Sequence, residues 1–179
     1  PTYIGDPINA VKIFNDFEAD ELVFLDIEAT NENRTISVDI VKKIGEESLM
    51  PFAVGGGINS IESIRELLKS GAEKVVLNNV LFSTPELITE ASKVFGTQSI
   101  VASIDVRLNE KEEYEVYKSC GKKPTGISAI ELAKKVEELG AGEIIINSID
   151  KDGTFEGYDL ELIKMVSNLF FKISADSKL

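Results

Sequence analysis

Apolar runs rich in Val, Ile and Phe alternate along this chain with segments whose apolar residues recur at helical spacing. ELVFLDIEA (21–29) precedes a helical pattern over 36–48, MPFAVGGG (50–57) precedes one over 60–71, and KVVLNNV (74–80) precedes 84–96. SIVASIDVR (99–107) leads to 128–140, and GEIIINSID (142–150) leads to 159–170. Another helix opens at Asp6-Pro7. The helix boundaries have their own chemistry. Thr84-Pro85-Glu86 offers an N-cap, a proline at the first helical position and an acid for the helix dipole. Ser128 and Glu131 have capping-box spacing, and Gly71, Gly96 and Gly140 sit where left-handed C-caps belong. The strand runs are continuous rather than alternating, which predicts a parallel sheet covered by helices on both faces. Five such units give an α/β fold, either a doubly wound open sheet or a (β/α)8 barrel.

Residues 108–123, LNEKEEYEVYKSCGKK, break this rhythm. YEVYKS alternates like a ribbon between charged turns, which predicts a β-hairpin inserted after the strand at 99–107, on the loop face where barrel chemistry sits. DELVFLDIEA and GEIIINSIDK superimpose across a shift of 122 residues, a spacing that suggests two related halves of one barrel rather than a solenoid. The chain opens on Pro1 and a helix with no strand before it, and FKISADSKL begins where a further strand is expected. A single partial barrel domain over 1–179 is therefore expected, lacking the first strand and the last two units. Two unpaired sheet edges would then favour aggregation or a loose fold.

Composition narrows the function. A formal net charge of −12 argues against a nucleic-acid partner. No apolar stretch approaches the ~20 residues of a membrane span, and one cysteine, Cys120, points to a reduced, cytoplasmic setting. The absence of histidine removes Ser-His and Cys-His nucleophiles, imidazole bases and His-ligated zinc. No acidic cluster has a recognisable ligand spacing, so neither a metal nor a cofactor is called for.

In parallel α/β folds ligands bind at the carboxyl ends of strands. Those ends carry Asp26 and Glu28, Gly55-Gly56-Gly57, Asn78-Asn79, Asp105, and Asn147, Ser148, Asp150 and Asp152. GGGINS before a helix is a candidate phosphate cradle, because glycines bring backbone N–H groups against a bulky anion and the helix N-terminus adds its dipole. The alternative is a tight turn with no ligand. Asn79, on the adjoining strand, offers the same anion a further hydrogen bond. Asp105 ends an otherwise small, apolar strand, and a carboxylate there is a candidate for acid–base work; an ion pair with Arg107 is the alternative. Capping and loop ordering suffice for Asn59, Ser60, Asp152 and Thr154.

Together DELVFLDI, PFAVGGGI, GAEKVVLNN, SIDV, GKKPTGI and GAGEIIINSIDKDGTFEGYD resemble the cyclase subunit of imidazole glycerol phosphate synthase, from about residue 6 to 168. The resemblance implies a (β/α)8 barrel of two similar halves, partnered as a heterodimer by a glutaminase that supplies ammonia. It implies cyclisation of a bis-phosphorylated formimino-ribonucleotide to imidazole glycerol phosphate and aminoimidazole carboxamide ribotide. By that resemblance Asp105 is the acid–base residue, Gly56, Gly57, Asn78 and Asn79 hold a phosphate, and Asn147 and Asp150 face the substrate. Glu21, Lys74 and Glu143 correspond to a charged ring around the ammonia entrance, with Glu73 on the partner's docking face. The family's other catalytic aspartate and its second phosphate site have no counterpart here, so the chain alone is expected to be inactive. Asn79, Asn147 and Glu28 stand where the histidine enzyme has threonine, and these changes, with YIGDPINAVKIFND, resemble paralogous subunits that pass ammonia to a surface-polysaccharide sugar. A third reading is a phosphate-binding scaffold without chemistry of its own.

Overall fold

The computed structural model describes residues 6–176, with side chains assigned as far as residue 168. Chain order is α1 (Pro7–Asp16), β1 (Leu22–Leu25), α2 (Val38–Glu47), β2 (Phe52–Gly55), α3 (Ile61–Lys69), β3 (Lys74–Leu77), a single turn α4 (Val80–Ser83), and α5 (Glu86–Phe95). There follow β4 (Ile100–Leu108), β5 (Tyr114–Lys118), β6 (Lys123–Ser128), α6 (Ala129–Leu139), β7 (Glu143–Ser148) and α7 (Leu160–Asp176). The parallel sheet runs β1-β2-β3-β4-β7. It is an incomplete (β/α)8 barrel.

The pleat sorts side chains into two environments. Val54, Val75, Leu77, Ile100 and Ile104 point outward into one core with Ile44, Ile64, Leu67, Ile88, Leu132 and Leu162 of the helices, all of them fully buried. Burial of this kind contributes about 1.5–3 kcal/mol for each large aliphatic side chain. Ala53, Val76 and Val101 point the other way and form a separate small layer with Ile145 on the concave face. The expectation of strands buried on both faces holds for β2, β3 and most of β4. It fails on the two edge strands, on β1, where Val23 and Leu25 are 46% and 50% exposed, and on β7, where no residue is fully buried, because no further strand flanks either among the described residues.

β4 is long enough to take three partners within one seven-stranded sheet. Its residues 100–102 pair with β3 and 105–108 pair antiparallel with β5, while β7 runs along 101–106. Since β7 overlaps both partners, β3 and β5 share one edge of β4 and β7 holds the other. The ribbon extends beyond 108–123, for its second strand occupies Lys123–Ser128 and feeds directly into α6. Other local expectations need correction. α7 continues through 171–176, where a strand start was expected. α5 starts after Pro85 with no side-chain cap from Thr84. Gly96 has positive φ but not the left-handed helical conformation (φ 92°, ψ 148°), whereas Gly140 is left-handed. Ser128 does accept from the Glu131 amide, and Ser60 forms a reciprocal capping box with Ser63.

Candidate active site

The three glycines have a steric origin first. A Cβ on Gly55 would lie 2.7 Å from a Leu25 methyl and 3.0 Å from Val76 Cβ, so the cross-strand neighbours occupy that space. Gly56 (φ 133°) has Asp26 Cβ at 2.8 Å, and Gly57 (φ 61°) would drive its Cβ into the Arg34 carbonyl. The β1–α2 loop thus lies directly on the glycine turn, and the Ile36 amide donates to the Gly56 carbonyl at 3.0 Å. Beyond the turn, the amides of Gly57, Ile58 and Asn59 have no acceptor among the described residues. They stand in front of α3.

Asp105 is half-buried on the concave face of β4. Asn147 Nδ2 on β7 donates to Oδ1 at 2.9 Å, and Asn78 Nδ2 at the end of β3 donates to Oδ2 at 3.2 Å. Asn78 also donates to the Ser103 carbonyl at 3.0 Å. Both carboxylate oxygens are therefore oriented by amides, one from each neighbouring strand. The Asp105–Arg107 pair considered above is not formed. Arg107 Nε instead donates to Asp150 at 3.0 Å.

Gly55, Gly56, Gly57, Asn78, Asn79, Asp105 and Asn147 line one cleft of about 890 Å³ at the carboxyl ends of the strands. Asn59 and Asp152 line it too. Asp150 does not: its carboxylate faces away, accepting from Arg107 and from the Leu108 amide at 3.2 Å. A residue two positions from a lining residue need not line the site once the strand has ended and the period of two no longer applies. Two features escaped the sequence. Arg34 is the one cation lining the cleft among the described residues, and it ion-pairs with Asp26. That bond, with Arg34 as its largest cause, holds the Asp26 carboxyl below the usual range and raises the guanidinium's own value. The isolated basic residue in TNENRTIS, on the loop side of β1, was the available signal. The second is the hairpin tip, where Cys120 and Gly121 close one wall of the cleft.

At the opposite mouth, Lys74 bridges Glu21 at 2.9 Å and Glu143 at 2.6 Å. The two glutamates are equivalent in the 122-residue repeat, and each stands at a strand start. The hydrogen bonds that Lys74 donates to Glu143 first and Glu21 second raise its ammonium above the usual value. Between this bridge and Asp105 lies the apolar layer Ala53, Val76, Val101 and Ile145. Glu73, next to the bridge, is exposed.

The family model described as "Histidine biosynthesis protein" matches residues 1–175. "Imidazole glycerol phosphate synthase subunit HisF" of Thermococcus onnurineus (strain NA1) is 51% identical over 162 residues, 90% of this chain and 64% of that protein. The protein of the same name from Alkaliphilus metalliredigens (strain QYMF) is 46% identical over 163 residues, 91% of this chain and 65% of the relative. The chain thus spans about two thirds of the length of these relatives. With a match that runs through every strand of the sheet, the chain belongs to the histidine biosynthesis protein family.

Proposed function

We propose that this chain carries the cyclase chemistry of imidazole glycerol phosphate synthase. It uses ammonia from a glutaminase partner to close the imidazole ring of imidazole glycerol phosphate, releasing aminoimidazole carboxamide ribotide. The observation that carries the reading is that the glycine turn and Asp105 share one cleft in a chain of this family. The free amides of Gly57, Ile58 and Asn59 suit a phosphate at the head of α3. Asn79, on the same wall, adds a donor. Asp105, held by two amides, takes a proton from the incoming nitrogen and returns it to the departing one. Asn147 acts by orienting that carboxylate. Asp150 serves the loop rather than the substrate.

Lys74 with Glu21 and Glu143 closes the far mouth, and the apolar layer behind it suits a small neutral molecule. The glutaminase docks on that face over Glu73, forming a heterodimer in the cytoplasm. The 179 residues by themselves bind one phosphate end and turn nothing over. A protein of the relatives' full length converts the bis-phosphorylated formimino-ribonucleotide in the presence of ammonium salt. Product absorbance that never rises above the protein-free rate would reject the cyclase.

A second reading is favoured by the amides themselves. Asn79 and Asn147 replace threonines expected for the histidine enzyme, and Asn147 contacts Asp105 directly. They suit the paralogous subunit that passes ammonia to a surface-polysaccharide sugar. Ammonia-dependent amidation of the sugar, with no turnover of the ribonucleotide, would select it.

A further inference from the structure

Asp159, outside the cleft, collects three donors. Tyr114 Oη donates to Oδ1 at 2.7 Å, Ser148 Oγ to Oδ2 at 2.9 Å, and the Leu162 amide to Oδ1 at 3.1 Å. The first belongs to β5, the second to the last residue of β7, and the third to the first turn of α7. β5 and β7 are the two strands that flank the Asp105 segment of β4, with Tyr117 opposite Asp105 on one side and Asn147 opposite it on the other. Ser148 follows Asn147, the residue whose amide orients Asp105. One carboxylate therefore ties together both neighbours of the strand that presents the candidate acid–base group.

We propose that Asp159 is a positioning residue for Asp105, acting through Tyr114 on β5 and Ser148 on β7. The inference rests on the reading of Asp105 as the acid–base group. Burial pushes the Tyr114 hydroxyl up to about 12, with Asp159 adding to the shift, so the phenol remains a donor at all ordinary pH values. Burial opposes ionisation of Asp159, but Tyr114, the Leu162 amide and Ser148 together hold its carboxyl below the usual range. The bonds are therefore all charge-assisted at neutral pH. A second carboxylate works alongside it, since Asp150 fastens Arg107 and the Leu108 amide of β4 to the same loop. The hairpin is thus held at its base while its tip reaches the cleft.

The experiment uses Tyr114→Phe and Ser148→Ala, which leave the α7 cap intact, with Asp159→Asn as the harsher change. In the full-length protein each of the milder variants lowers kcat about tenfold with KM within about twofold, as expected for misplaced acid–base geometry rather than lost binding. The double variant loses less than the product of the two, because one carboxylate serves both. Independently of turnover, the Asn147 side-chain amide resonance in 15N–1H spectra moves in both variants. An unmoved Asn147 signal, or a kcat unchanged in both, overturns the positioning role. A moved signal in a protein that never turns over the ribonucleotide leaves the positioning intact and rejects the cyclase reading instead.

Discussion

Replacing Gly57 by Ala tests whether the glycine turn and the β1–α2 loop form one unit. Gly57 lies at φ 61°, where an alanine costs about 1–2 kcal/mol. Its Cβ would also enter the Arg34 carbonyl, with the carbonyl carbon 2.9 Å away and Ala29 Cβ at 3.4 Å, so the loop has to move. Overpacking of this kind costs about 1–3 kcal/mol. Gly153 is the control: its φ of 72° carries the same backbone penalty, but a Cβ there meets nothing within 4 Å. The difference between the two variants is therefore the loop clash alone. Amide hydrogen exchange reads it at Ile36, whose N–H donates to the Gly56 carbonyl. Opening of the loop relieves the clash, so Gly57→Ala speeds Ile36 exchange by about 5-fold to 150-fold, at tenfold per ~1.4 kcal/mol. Gly153→Ala leaves it within about twofold of the parent. Equal exchange in the two variants would show that the loop does not rest on the turn.

Three other outcomes follow from the same structure. Asp26→Asn removes a carboxyl whose folded value is depressed, so the parent's advantage is complete at neutral pH, begins to shrink below the ordinary value of 3.8 and is lost as pH falls through the depressed folded value; a gap between parent and variant that does not narrow with falling pH contradicts the ion pair as its source. Lys74→Met leaves Glu21 and Glu143 facing each other and opens the far mouth, so the full-length protein without its partner uses low ammonium concentrations several-fold better; an unchanged ammonium dependence rejects the gate. Among the described residues β1 pairs only with β2 and β7 only with β4, and these open edges predict concentration-dependent association in sedimentation. A monomer at every concentration contradicts that.

Periodicity revealed the order of strands and helices because hydrophobic burial in a parallel sheet is local information: four consecutive apolar residues on β2 are buried on both faces whatever else the chain does. Polar residues that interrupt or close apolar runs likewise pointed to Asp105, Asn78 and Asn147, which the structure brings into one cleft. What the residues did not reveal were relations between distant segments. Arg34 belongs to the cleft only because the glycine turn lets its loop fold back. Asp150 and Asp159 turn toward the hairpin because β4 outlasts its neighbours and recruits β5, a pairing no spacing announces. Asn147 lines the cleft, and the pleat alone could not show that its amide reaches across to Asp105 on the neighbouring strand.

The account stands on Asp105 moving protons for a ligand that the glycine turn holds. The most direct measurement is the steady-state rate of Asp105→Asn in the full-length protein with saturating ammonium. Turnover should fall at least about 10²-fold, as expected for a lost acid–base group, while KM for the phosphorylated substrate changes little because the amides beyond Gly57 are untouched. A variant that still turns over at the parent's rate would contradict it.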